Sequence, residues 1–281
     1  LMQVVQTIPA LRAALAQARA AGRTIGFVPT MGCLHAGHLA LLTRARQEAT
    51  FNVVSIFVNP TQFGPNEDFS RYPRTFEADR TACESAGADL IFAPTPADFY
   101  PQGAATWVDV EGISTGLCGE FRPGHFRGVA TVVAMLFNAV QADVAVFGQK
   151  DLQQLAVIRR MVRDLHFPVR IIAHETIRES NGVAMSSRNR YLAAEDLQRA
   201  TAIPAALAEA RRLGAAGETE AARIRDAALA CLTKEPALRP QYVAVVDQET
   251  MAPVTQVTPG RCALAIACLV GNTRLIDNTL L

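Results

Sequence analysis

Apolar and polar positions switch repeatedly between two periods over the first 176 residues. From Thr7 to Ala21 apolar residues recur at helical spacing, "RTIGFVP" is a short apolar run closed by Pro29, and Gly37 to Thr50 returns to the helical period. The alternation continues through strand-like "NVVSIFVNP", helix-like "TFEADRTACESAG", strand "DLIFAP", helix-like "GVATVVAMLFNAVQ", strand "DVAVFG" and helix "DLQQLAVIRRMVRDL". Strands and helices of this length in alternation imply parallel β-α-β crossovers, and nearly all-apolar short strands imply a sheet covered on both faces. The pattern therefore predicts an α/β fold, a doubly wound, mostly parallel sheet over residues 1–176. Beyond "VRIIAHETIRESNGVAMSSRNRYLAAED" come alanine-rich helical patterns around 197–233, then strands "QYVAVVD" and "RCALAIACLVG". These predict a smaller α+β C-terminal domain over residues 177–281, packed over the first.

In a doubly wound sheet, ligands bind beyond the carboxyl ends of the strands. Three polar clusters, "PTMGCLHAGH", "NPTQFG" and "GQKD", all fall there and converge on one edge. The 27 Lys and Arg against 26 Asp and Glu leave no broad basic surface, so no nucleic-acid partner is expected and any anion site must be local. Six scattered cysteines without a C-x-x-C pair argue against a zinc ribbon or dithiol motif and fit reduced thiols in a cytoplasmic protein. Nowhere do about 18 apolar residues run unbroken, and the N-terminal stretch lacks the pattern of a secretion signal, so no membrane association is expected.

Neither G-x-x-x-x-G-K-[ST] nor G-x-G-x-x-G follows the first long strand, so a different phosphate device is needed. At a strand-to-helix junction, free backbone N–H groups and the helix dipole favour an anion, and Gly32 and Gly37 permit close approach. His35 and His38 add side-chain donors in either protonation state. A lone loop histidine is more often a surface or capping residue, and zinc would need further ligands that the local sequence lacks. Lys150 follows a strand and precedes a helix, where its ammonium can reach phosphate oxygens; Asp151 with Gln154 also has the form of a helix-capping pair. "AMSSRNR" offers two hydroxyls, as cap or ligand, and the Arg188 guanidinium, which matches phosphate geometry. Arg122, His125 and Arg127 in "FRPGHFRG" either bind a carboxylate or brace the site, and Asn66-Glu67-Asp68 is expected to be a solvated loop.

"PTMGCLHAGH" resembles the H-x-G-H motif of the nucleotidyltransferase superfamily that includes class I aminoacyl-tRNA synthetases. With "SIFVNPTQFGPNEDFSRYPRT", "RPGHFRGVATVV", "VFGQKDLQQL", "MSSRNRYL" and "GNTRLIDN", the likeness covers nearly the whole chain and is to the pantothenate synthetase (pantoate–beta-alanine ligase) family. The resemblance implies a Rossmann-like, class I synthetase-like fold. It also implies ATP-dependent condensation of D-pantoate with beta-alanine through pantoyl adenylate, releasing pyrophosphate and AMP, in vitamin B5 and coenzyme A biosynthesis. A homodimer and Mg2+ accompanying ATP are expected, with no protein ligand named for the metal.

By the same resemblance Met31, Gly32, Cys33, Leu34, His35, Ala36, Gly37 and His38 hold ATP, with His35 and His38 on its phosphates, His38 as proton donor and Gly37 leaving room for the nucleotide. Gly148, Gln149, Lys150 and Asp151 would also meet ATP, Ile177 would offer its backbone to adenine, and Met185, Ser186, Ser187 and Arg188 would close on the triphosphate. The catalytic set is thus His35, His38, Lys150 and Arg188. Gln62 is assigned to pantoate and beta-alanine, Gln154 to pantoate and Asn59 to pantoate or nucleotide, while Gln153 points off that face. Thr61 stands where the family commonly has a larger apolar residue, and Gln149 where many members carry Glu. Two other readings remain: a sibling nucleotidyltransferase that stops after transferring a nucleotide, and a noncatalytic nucleotide- or metal-binding module.

Overall fold

The computed structural model describes residues 2–281. In chain order its elements are β1 (Gln3–Val5), α1 (Ile8–Ala20), β2 (Ile25–Thr30), α2 (Ala36–Glu48), β3 (Phe51–Ile56), α3 (Phe76–Ser85) and β4 (Leu90–Phe92). Then follow α4 (Pro96–Phe99), α5 (Cys118–Phe121), α6 (His125–Val140), β5 (Val144–Gly148), α7 (Leu152–Asp164) and β6 (Arg170–His174). The remainder holds α8 (Ala194–Arg199), α9 (Ala202–Ala215), α10 (Ala221–Leu232), β7 (Leu238–Asp247), β8 (Cys262–Val270) and β9 (Thr273–Leu280). Short 3-10 turns occupy Pro60–Gln62, Gln149–Asp151 and Ser187–Tyr191.

Six strands form one sheet in the order β1-β4-β3-β2-β5-β6, with every pair parallel. Successive side chains point to opposite faces of a strand. Phe27, Val53, Leu90 and Phe92 accordingly enter one apolar cluster with α1, α6 and α7, while Val28, Val54 and Ile91 enter another with α2 and α3. This two-sided burial is why the strand segments are apolar throughout; each large side chain removed from water contributes about 1.5–3 kcal/mol. From β2 the chain winds to one side through β3 and β4, then returns to pair β5 on the other side. The turns after β2 and β5 therefore flank the point where winding reverses, the crevice in which such sheets bind ligands.

The C-terminal part adds an antiparallel sheet, β7-β8-β9. A separate apolar cluster built from residues between Val183 and Leu275 packs α9 and α10 on it, while Val246, Met251, Ala263 and Ala265 join the cluster under the parallel sheet. Thr7 caps α1 as its position in the sequence suggests, its hydroxyl accepting from the Ala10 amide. Among the described residues no helix is long and apolar enough to cross a membrane, and the cysteines are free.

Candidate active site

The turns after β2, β3 and β5 enclose a cleft of about 230 Å³. It adjoins a second lobe of about 280 Å³ that reaches β9. Arg122, His125, Lys150, Asp151, Gln154 and Arg188 line both lobes.

α2 starts where it does because two imidazoles cap it. His35 Nδ1 accepts from the Gly37 amide at 3.1 Å, and His38 Nδ1 accepts from the His35 amide at 3.3 Å, a capping box written in histidine. A ring nitrogen that accepts carries no proton, so each neutral ring holds its proton on Nε2. The two rings lie 4.1 Å apart. Burial, then the Lys150 charge, lowers His35 to about 4; burial, then the charges of His35 and Lys150, lowers His38 to about 3. At neutral pH both rings are uncharged and present Nε2–H as a donor. Their protonation in the ligand-free protein, left open by the sequence, is thus opposed by the fold.

The backbone donors expected to meet an anion are already engaged. The Gly32 amide donates to Thr30 Oγ1 at 3.1 Å, and the Cys33 and Leu34 amides donate to the Asp79 carboxylate at 2.9 and 2.8 Å. Asp79, 3% exposed on α3, occupies the place the sequence reading gave to a phosphate. It holds Gly32 and Cys33 at φ 81° and 52°, a left-handed pair that costs a non-glycine residue about 1–2 kcal/mol. Gly32, Cys33, Leu34 and the exposed Ala36 do not line the cleft, whereas Met31, His35, Gly37 and His38 do. Gly37 lines the cleft and also adjoins the imidazole, since a Cβ there would lie 2.8 Å from His35 Cε1. Its missing side chain makes room for the imidazole.

Beyond β3, Asn59 is 1% exposed and its amide is fully engaged. Asn59 Nδ2 donates to Gln62 Oε1 and to the Gly128 carbonyl, both at 3.1 Å, while Oδ1 accepts from Tyr100 at 2.8 Å and Thr61 Oγ1 at 3.0 Å. Thr61, the departure from the family's usual apolar residue, is absorbed into this network. Asn59 lines the cleft with each of its side-chain polar atoms already partnered within the protein. Gln62, 8% exposed, turns its Nε2 toward Met31 Sδ at 3.1 Å, and its carbonyl accepts from His125 Nδ1 at 2.9 Å. Burial and the Arg122 charge keep His125 low, at about 4, so it too is neutral.

After β5, Lys150 lines the cleft with Nζ 3.7 Å from Asp151 Oδ2, and Gly148 and Gln154 line it as well. Gln149 lines neither lobe. Asp151 makes no side-chain cap bond at α7, so the capping alternative for Asp151 and Gln154 is not realised. Gln153 lines only the second lobe, its amide bonding Ile113, Gly116 and Cys118 backbone groups.

Ile177, Met185, Ser186, Ser187 and Arg188 complete the rim. Ser186 caps the following turn through the Arg188 amide, and Ser187 Oγ lies 3.3 Å from the Tyr72 hydroxyl. Arg188 grips Asp68 bidentately at 2.9 and 3.1 Å, and Arg122 grips Glu67 at 2.6 and 2.7 Å. The segment expected to be solvated loop is therefore a pair of counter-charges. Burial would raise the Glu67 and Asp68 pKa values, but hydrogen bonds and charge from the two guanidiniums outweigh it and hold both below the ordinary range. The sequence reading also missed Asp79 and the apolar wall of Val129, Val132, Val133 and Leu136. The continuous apolar run of α6 was the available signal for the wall.

A doubly wound parallel sheet with donors gathered at its winding reversal places the chain in the α/β class, with its crevice at the strand ends. The chain belongs to the pantoate-beta-alanine ligase family, whose model matches residues 3–280. It is 54% identical over 280 residues to a pantothenate synthetase of Moorella thermoacetica, covering 100% of this chain and 99% of that one. Its fold is similar to a crystal structure of pantothenate synthetase from Thermus thermophilus, with TM-score 0.94, 48% identity and 99% of each chain covered. A pantoate-beta-alanine ligase of Francisella tularensis, complexed with beta-gamma ATP and beta-alanine, matches with TM-score 0.80 at 30% identity over 100% of this chain and 98% of that one.

Proposed function

We propose that this chain joins D-pantoate to beta-alanine at the expense of ATP, through pantoyl adenylate. The observation that carries the reading is the convergence of His35, His38, Gln62, Lys150, Gln154 and Arg188 on one cleft, from separate segments of the sequence. The Francisella relative's complex supports ATP and beta-alanine as ligands. In the first half-reaction a pantoate carboxylate oxygen attacks the α-phosphorus, and the bond to the bridging oxygen breaks, releasing pyrophosphate. In the second, the beta-alanine nitrogen attacks the acyl carbon and loses a proton, and AMP departs with the electron pair of the broken C–O bond.

This transfer needs positioning and charge stabilisation from the protein rather than covalent participation. Neutral His35 and His38 donate Nε2–H bonds to phosphate oxygens. The His38 ring is a hydrogen-bond donor first, and carries a proton it can pass on only if the bound triphosphate raises its pKa from about 3. Lys150 supplies a fixed positive charge. Arg188 exchanges Asp68 for phosphate oxygens, bidentate in both cases. Gln62 and Gln154 orient the pantoate carboxylate and hydroxyls, with Asn59 holding Gln62, and the Val129–Leu136 wall suits a branched aliphatic acid.

ATP chemistry brings Mg2+. Among the described residues no three His, Cys, Asp or Glu side chains are grouped to hold a metal ion, and Asp151 is the carboxylate beside Lys150. That donor set fits a hard cation carried mainly by phosphates and water, with Asp151 the residue that would face it. When bound, the ion offsets phosphate charge. The division near residue 176 into two domains is supported by the separate apolar cluster of the C-terminal part. Homodimer formation and a place in coenzyme A biosynthesis rest on the family resemblance, and a cytoplasmic location rests on the six scattered cysteines.

The test is to omit ATP, pantoate or beta-alanine in turn while following AMP and pyrophosphate. Pantoate-dependent pyrophosphate without beta-alanine, joined by AMP when the amine is added, is the expected outcome. Pyrophosphate release that requires the amine would refute a free-standing adenylation step.

A further inference from the structure

The terminal block "GNTRLIDN" has no part in the cleft chemistry described so far, yet it supplies β9, an edge strand lying against both the Gln149–Asp151 and the Ser187–Tyr191 turns. Two consecutive residues make the connections. Asn278, 4% exposed, donates through Nδ2 to the Gln149 carbonyl at 2.8 Å and the Lys150 carbonyl at 3.0 Å. Asp277, 3% exposed, accepts from both arms of the Arg178 guanidinium at 2.6 and 3.0 Å. Arg178 also donates to the Gly182 carbonyl, and the backbone pairs Arg178 with Ala184 and Met185 with Ile177. It therefore sits inside the hairpin that leads into Ser186, Ser187 and Arg188.

Neighbouring side chains on a strand project to opposite sides. One dipeptide thus reaches both cationic arms of the cleft, Lys150 in one direction and the Arg178 hairpin in the other. The geometry points to Asp277 and Asn278 as positioning residues that hold the Lys150 turn and the Ser186–Arg188 arm at a fixed separation for the triphosphate. Neither side chain needs to touch substrate. The amide orientation of Asn278 is forced, because only its nitrogen can face two carbonyl oxygens. The inference rests on the adenylation reading, in which these arms serve ATP and pyrophosphate and have no task once pyrophosphate has left.

The two half-reactions separate positioning from a general loss of structure. Asn278→Ala removes both donors without adding charge; Asn278→Asp keeps the shape but sets a carboxylate against two carbonyls; Asp277→Asn weakens the grip on Arg178. Each is compared with wild type for ATP affinity by titration calorimetry, for pantoate-dependent pyrophosphate release, and for AMP release from synthetic pantoyl adenylate plus beta-alanine. A misplacement of about 1 Å costs on the order of a hundredfold in rate. Asn278→Ala is expected to weaken ATP binding and to slow pyrophosphate release about tenfold to a hundredfold, with Asn278→Asp worse, while the second half-reaction stays within about twofold of wild type. ATP affinity and pyrophosphate release both within about twofold of wild type would overturn the inference, as would an equal fall in both half-reactions. Wild-type protein that leaves pantoyl adenylate unconverted would overturn the adenylation reading instead, and ATP affinity would still decide the positioning role.

Discussion

Gly128 on α6 packs directly against the turn that carries Gln62, and replacing it by alanine tests whether that contact sets the substrate position. A Cβ at Gly128 would lie 2.4 Å from the Thr61 carbonyl oxygen, 2.6 Å from its carbon and 2.8 Å from Gln62 Cα. All three obstacles are backbone, so no rotamer change relieves them. Ordinary contact begins near 3.4 Å and real Cβ atoms essentially never approach closer than 3.0 Å, so helix and turn must part by 0.6 to 1.0 Å, the difference from 2.4 Å. That movement strains the Asn59–Gly128 bond of 3.1 Å and the His125–Gln62 bond of 2.9 Å, which brace the same turn. Overpacking of this kind costs about 1–3 kcal/mol, roughly 2–10 °C in Tm for a chain of this size. The displacement at Gln62 lowers kcat/KM for pantoate by on the order of a hundredfold. Steady-state kinetics with pantoate and ATP varied separately, together with a thermal melt, measure both effects. The expected result is a selective loss on pantoate, with ATP dependence changed less than about threefold. An unchanged pantoate KM and kcat in folded Gly128→Ala would show that the contact does not position Gln62.

Two further outcomes follow from the imidazoles. Gly37→Ala pushes a methyl to within 2.8 Å of the His35 ring, so pyrophosphate release should fall about tenfold or more with Tm nearly unchanged; a fully active variant would show that His35 can move without consequence. Acid should unfold the protein through its buried histidines: His38 at about 3 and His125 at about 4 both lie below the ordinary histidine value of 6.5. A depressed pKa means that the unfolded chain binds the proton more tightly, so the stabilisation is complete above pH 6.5 and is lost as pH falls toward the folded values. At about pH 5 the two rings together cost on the order of 4 kcal/mol. Denaturant midpoints at about pH 7 and about pH 5 read this directly, and equal stabilities would contradict burial of neutral rings.

The winding of the parallel sheet was legible because a strand buried on both faces must be apolar at nearly every position, as β2, β3 and β5 are. β1 and β9 were not. Gln3–Val5 is too short to establish a period, and Thr273–Leu280 buries Thr273, Asp277, Asn278 and Thr279, so its buried positions do not read as apolar. At the site, residue types announced His35, His38, Lys150 and Arg188, but partners distant in sequence decided their state. Asp79 takes the amides of Cys33 and Leu34 across more than 40 residues, and Asp68 meets Arg188 across 120. Local spacing carries no trace of such pairings. Gly37 shows the converse: the residue was noticed, and its close contact with the His35 ring emerged only once that ring had a place.

The cleft draws its groups from Met31 near one end of the chain to the turn held by Asn278 near the other. Bringing such distant segments together slows folding, since each long loop must close before its contacts reward it. With the positioning role proposed for Asn278, a polypeptide lacking β9 is expected to capture nucleotide poorly, and retention on an ATP matrix would sort completed molecules from unfinished ones.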